Sequence, residues 1–194
     1  MVSFGMPTLI EHDSLEESAR LCKELDLQFI ELNMNLPQYQ LHTIDITKAL
    51  DIAKQYNVRY TLHLDENLNI SDFNPYVAQA YMRTVLDSIQ TAKSLDIALM
   101  NMHLSRGVYF TLPNKKVFLF DRYRTSYLKS MEDFRDRCAK AIGNSGIRIC
   151  VENSSGYSKV QTEALEILLE SPVFGLTLDV GHNHCTGETD GKWI

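Results

Sequence analysis

At 194 residues, with 44% hydrophobic and 23% charged side chains, the chain has the make-up of a soluble globular protein with one substantial core. Its formal net charge of -6 argues against a broad electrostatic grip on nucleic acid or anionic lipid, and it has no run of about 18 apolar residues to span a bilayer. The opening MVSFGMPTLIEHD lacks the basic and apolar regions of a secretory leader, so a cytoplasmic protein with a small-molecule partner is expected.

Short β-rich runs alternate with longer helical ones. VSFGMPTL reads as a first strand. In the EHDSLEESARLCKELDL that follows, Leu15, Ala19, Leu21, Cys22 and Leu25 make an apolar face, and Asp13 or Ser14 can cap the start, with Glu16 or Glu17 three residues on. FIELNMN then precedes DITKALDIAKQYN, and RYTLHL precedes NPYVAQAYMRTVLDSIQTAKSLD. ALMNMHL is followed, after a long loop, by YLKSMEDFRDRCAKAIGNSG; IRICVEN is followed by VQTEALEILLES, and FGLTLDV closes the series.

This alternation of strand and helix implies parallel strands with right-handed crossovers and helices covering a buried sheet. Two architectures satisfy it. A doubly wound open sheet calls for a ligand turn at a switch point, and neither GxGxxG nor GxxxxGK followed by Ser or Thr occurs. A (β/α) barrel instead places functional side chains at the C-terminal ends of several strands. The one long connection, residues 105–126, holds Tyr109, Phe110, Phe118, Phe120 and Tyr123 with Arg106, Lys115, Lys116, Arg122 and Arg124. It reads either as a lid or hairpin over the mouth of the fourth strand or as a surface loop packed on its own aromatics.

Cys22, Cys138, Cys150 and Cys185 are scattered without a CxxC pair, so reduced, mostly buried thiols are expected. Cys185, beside His182 and His184, is the one placed near other metal donors, although three ligands within four residues cannot easily all face one ion.

The strand ends share a feature. Strand two ends in Glu31 and Asn33, and strand three in His63 followed by Asp65, Glu66 and Asn67. Strand four ends in Asn101 and His103, strand five in Glu152 and Asn153, and strand six in Asp179 with His182 close behind. A carboxylate closing an apolar strand is costly to desolvate unless something positive meets it. In a barrel these termini converge on one mouth, and the mixed set His63, His103, Glu152 and Asp179 suits a divalent metal, whether Mn, Co, Zn or Mg.

HLDENLN at His63, NMHLSRG at His103, VENSSG at Glu152 and LDVGH at Asp179 and His182 resemble the xylose isomerase-like TIM-barrel superfamily. That superfamily holds sugar and sugar-phosphate isomerases and epimerases, and also the endonuclease IV (AP endonuclease family 2) type of abasic-site nuclease. The resemblance implies that Glu152 and Asp179 ligate metal, with Glu152 doubling as catalytic acid/base. It implies further that His182 touches substrate or another ion, and that His63 and His103 ligate metal in the nuclease branch or line the pocket in the isomerase branch. His182, Asn33, Glu31 and Asn153 are assigned to substrate, and His63 and His103 are kept with the metal.

Family barrels have eight strands, with a further His and Glu on the seventh and eighth, and a typical barrel needs roughly 250 residues. Residues 1–194 are therefore expected to be a single α/β domain, a TIM-type barrel incomplete after six βα strands. Its first and sixth strands would be open edges through which copies of the chain can associate. The leading functional expectation is a metal-dependent sugar or sugar-phosphate isomerase or epimerase acting through an enediolate, without nucleic-acid or membrane partners. The alternatives are a metal-dependent abasic-site DNA phosphodiesterase and an inactive or binding-only barrel remnant.

Overall fold

The computed structural model describes residues 2–154 and 156–187. Six strands, β1 (Gly5–Pro7), β2 (Phe29–Asn33), β3 (Arg59–His63), β4 (Leu99–His103), β7 (Arg148–Glu152) and β8 (Phe174–Thr177), form one parallel sheet in the order β1-β2-β3-β4-β7-β8. Neighbours in space are neighbours in sequence, apart from an inserted hairpin, so the sheet has no switch point. That is barrel order rather than doubly wound order. Among the described residues β1 and β8 are open edges.

Five helices alternate with these strands: α1 (Leu15–Glu24), α2 (Ile46–Tyr56), α3 (Pro75–Ser94), α5 (Arg124–Ile142) and α6 (Lys159–Leu169). Their starts are written locally. Ser14, Asp45 and Ser158 each accept the main-chain N–H three residues on, and Gln161 returns a bond to complete a capping box on α6. Asp26, Asn57 and Asp96, each with φ near 55°, turn three helix ends back toward the sheet, a conformation that Asn and Asp tolerate best after glycine.

One face of the sheet packs on the helices. Ile30, Leu32, Tyr60, Leu62, Met100, Met102, Ile149 and Val151 lie on it and are all buried, joined to Ala19, Cys22, Ile89, Phe134 and Leu168 in one continuous apolar cluster. The period of two along each strand sends the alternate residues to the opposite face. There the chain carries Glu31, Asn33, Thr61, His63, Asn101, His103, Glu152 and Thr177. Cys22, Cys138 and Cys150 are buried and unpaired, as expected, while Cys185 is exposed.

The long connection after β4 contains an antiparallel hairpin, β5 (Tyr109–Leu112) and β6 (Lys115–Phe118), then a short helix, α4 (Leu119–Arg122). Its strands are largely exposed and it is held by its base: Phe120, buried, stacks on Tyr127 with ring centroids 4.3 Å apart. Gly107 lies beneath that ring at φ +68°, where a Cβ would come within 2.7 Å of Phe120. The sixth strand is shorter than the sequence suggests. It stops at Thr177, and Asp179 caps a further helix, α7 (Val180–Cys185), that strand-like hydrophobicity did not reveal. Among the described residues no helix is long and apolar enough to cross a membrane.

Candidate metal and catalytic site

The register of the ladders decides which strand ends meet. Asn33 pairs with His63 and His63 with Asn101; two residues further along β4, His103 pairs with Glu152 and Glu152 with Thr177. The polar row therefore climbs by one side chain between β3 and β4 and ends beside the first turn of α7.

Glu152 is the hub. Its Oε2 accepts a hydrogen bond from Asn101 Nδ2 at 2.7 Å and lies 3.7 Å from His63 Nε2. Its Oε1 lies 3.4 Å from His103 Nε2 and 4.0 Å from His182 Nε2. The His63 and His103 rings meet edge to face at 5.1 Å, and those of His103 and His182 at 6.2 Å. His63 Nδ1 is 2.7 Å from the Leu64 carbonyl, which can only accept, so Nδ1 carries a proton, and Nε2, facing Glu152, carries the second proton when the ring is charged and a lone pair when it is neutral. His103 Nε2 is buried and makes no hydrogen bond.

Two sets of donors fall within 4.8 Å of one another: His63, His103 and Glu152, and Glu152, Asp179 and His182. Glu152 belongs to both. Burial would raise its pKa, but the His103 and His63 rings outweigh burial and bring it down to about 2. Burial alone would lower the His63 pKa; the Glu152 and Glu31 carboxylates and the Leu64 carbonyl reverse that and leave it raised. Glu31, on the same face, has its pKa raised chiefly by burial, with His63 acting against it.

The remaining expected residues fall into place with different duties. Asp179 is half-buried rather than buried, and its Oδ1 is occupied by the His182 N–H at 2.6 Å, so its desolvation is already part-compensated. Asn153 is wholly buried, and its amide spans the main chain of Asp179, which places it behind the strand end rather than in the open. Asn33 Oδ1 accepts from both the main-chain and side-chain nitrogens of Asn35. His184 and Cys185 are exposed and belong to neither donor set.

Thr177 had no functional assignment from sequence and Asn101 no specific one. Thr177 Oγ1 donates to Asn101 Oδ1 at 2.6 Å, and Asn101 in turn donates to Glu152. The available signal was parity, because Asn101 precedes His103 by two residues and Thr177 precedes Asp179 by two, which puts each pair on one face.

The family described as "Xylose isomerase-like TIM barrel" matches residues 19–192, and the chain belongs to that family. The uncharacterized protein MJ1188 of Methanocaldococcus jannaschii is 23% identical over 192 residues, covering 94% of this chain and 67% of the relative. Among solved structures, the 3-keto-D-glucoside 4-epimerase YcjR from E. coli superposes with a TM-score of 0.78 at 13% identity, over 99% of this chain and 73% of that one. The IolI protein with a bound zinc atom gives a TM-score of 0.72 at 16% identity, over 96% of this chain and 66% of that one. The chain thus spans about two thirds of the length of the relatives it matches.

Proposed function

We propose that residues 1–194 fold as one unit and carry the metal-binding and proton-transfer residues of a sugar or sugar-phosphate isomerase or epimerase. The observation that carries this reading is Glu152, ionised at neutral pH and buried among the Nε2 atoms of His63, His103 and His182. The donor set fits a divalent ion: the His103 Nε2 is buried beside Glu152 Oε1 without a hydrogen bond, and mixed imidazole and carboxylate ligands suit zinc, cobalt or manganese better than magnesium. Glu152 would hold the ion, with His63 and His103 on one side of it or with Asp179 and His182 on the other. When bound, it supplies Lewis-acid polarisation of neighbouring substrate oxygens, which acidifies the adjacent carbon.

Glu152 accepts the proton from that carbon on one face as the enediolate forms; returning it to the neighbouring carbon isomerises the sugar, whereas epimerisation takes a second base on the opposite face. A carboxylate that its imidazole neighbours hold ionised is a weak base, so the step depends on the carbon being made acidic rather than on Glu152 being made basic. His182, more exposed than His63 and His103, is positioned to hold a substrate hydroxyl, with Asn33 and Glu31 on the far side of the row. The epimerase YcjR and the zinc-bound IolI protein share the fold and so support the substrate class and the use of a metal.

The test is exchange of carbon-bound hydrogen in heavy water, with Mn²⁺ or Co²⁺ and a panel of ketoses and their phosphates. Incorporation of deuterium that Glu152→Gln abolishes is the expected result. Metal uptake without any exchange across the panel counts against this chemistry.

One observation favours a second reading. His63 and His103 both face Glu152 at less than 4 Å, an imidazole-rich arrangement suited to clustered ions that activate water for phosphodiester hydrolysis at abasic sites. The net charge of -6 and the confinement of most loop cations to the β5–β6 hairpin and its flanks weigh against a DNA substrate. Cleavage of an abasic oligonucleotide separates the two readings.

A further inference from the structure

We infer that Asn101 is a positioning residue, locked by Thr177, that sets which carboxylate oxygen of Glu152 is free to act. The three side chains come from three adjacent strands, β8, β4 and β7, in a single direction of donation: Thr177 Oγ1 to Asn101 Oδ1 at 2.6 Å, and Asn101 Nδ2 to Glu152 Oε2 at 2.7 Å. Asn101 is 5% exposed and Glu152 8%, so water does not compete freely for these atoms.

An asparagine amide can usually be turned over with little change in shape, and its orientation then says nothing. Here the Glu152 carboxylate fixes it, since that oxygen can only accept. Turned the other way, the Asn101 oxygen would face a carboxylate oxygen, two acceptors with no proton between them. The Thr177 hydroxyl then gives its one proton to Oδ1, so the amide in the productive orientation is held at both polar atoms. Oε2 is thereby occupied by a charge-assisted bond, and Oε1 is left with its lone pairs toward His103 and His182. Oε1 is the oxygen nearest His103 and His182, one from each donor set, so the relay reserves it for an ion or for a substrate proton.

This rests on the reading of Glu152 as a metal ligand, and the experiment separates the two. Co²⁺ affinity is measured by chelator competition, with the cobalt absorption spectrum, for the wild-type chain, Glu152→Ala, Asn101→Leu, Thr177→Val and Thr177→Ser. Loss of a partner behind a metal ligand typically weakens binding by about 10–100-fold. That loss, with an altered spectrum, is expected for Asn101→Leu and Thr177→Val, whereas Thr177→Ser should bind as wild type. Wild-type affinity and spectrum in Thr177→Val, with binding lost in Glu152→Ala, overturns the positioning role alone. Unchanged affinity in Glu152→Ala, or no binding by the wild type, overturns the metal reading.

The relay is then judged on the metal-free protein by hydrogen exchange of the Asn101 side-chain amide. Protection that is lost in Thr177→Val supports it. Equal exchange in the two proteins overturns it. Should Asn101→Leu fail to fold, Thr177→Val carries both arms.

Discussion

Asn153 grips the main chain of Asp179 at both polar atoms: the Asp179 N–H donates to Oδ1 at 2.7 Å, and its carbonyl accepts from Nδ2 at 3.0 Å. The side chain thus continues the β7–β8 ladder for one residue after β8 has ended. It brings Asp179, and behind it His182, up to Glu152. Removing it strips partners from a peptide unit in partly buried surroundings, which costs about 1–3 kcal/mol.

Asn153→Ala is therefore expected to lower stability by about that amount in urea denaturation, and to weaken metal binding through displaced Asp179. Stability equal to wild type would mean that solvent replaces the clamp.

The pH dependence of the metal-free chain follows from the pairing of Glu152 with the histidines. The Glu152 pKa is lowered from 4.5 to about 2, so its contribution is complete above pH 4.5 and is lost as pH falls toward 2. The His63 pKa is raised from 6.5, so its contribution is complete below pH 6.5 and is lost as pH rises through the folded value. These are one interaction seen from two sides, on the order of 3 kcal/mol at most. The gap in melting temperature between the wild-type chain and Glu152→Gln should be widest between pH 4.5 and 6.5. A gap that does not vary with pH would leave the pairing without energetic weight. Saturating Zn²⁺ should remove the alkaline decline, since the ion takes the place of the proton.

Gly107 and Phe120 make the hairpin's anchor testable. Gly107→Ala demands both a left-handed backbone with a side chain and space 2.7 Å from a ring already stacked on Tyr127. A loss of about 1–3 kcal/mol is expected, read by denaturation. Proteolysis should then cut first between residues 108 and 118. Unchanged protection there would mean that the hairpin is held elsewhere.

The open edges predict self-association. Proline lacks the ladder donor and is confined largely to edges, so Pro7 blunts β1, itself three residues long. β8 is the more adhesive side. The Ile149 N–H bonds the Val173 carbonyl, and strict alternation then turns the Leu176 N–H to the open side. Sedimentation should show association that rises with concentration and weakens in Leu176→Pro; association unaffected by that change would place the contact away from β8.

Much of this was legible beforehand because strand and helix carry different periods. RYTLHL alternates cleanly, and α1, α2, α3 and α6 each start on a Ser, Asp or Asn cap, so six strands and five long helices could be read directly. His63, His103 and Glu152 could be grouped because each closes an apolar strand. α7 was hidden: six residues with no buried face leave no amphipathic period to detect. Thr177 was hidden for another reason. A hydroxyl within a β-branched residue is unremarkable in a strand, and only the register across β7 and β8 shows whom it serves. Asn153 looks like any polar strand end until the position of Asp179, 26 residues later, is known.

The two faces of the sheet leave no room for error in alignment. A slip of β7 by a single position would swing the Glu152 carboxylate into the oily layer beneath the helices and expose Val151 in its stead. Assembly of the reactive cluster and acquisition of the native topology are therefore one event, and a chain that reaches its correct hydrophobic interior already presents its chemistry. Mutations that shift strand alignment should therefore cost stability and ligand capture together.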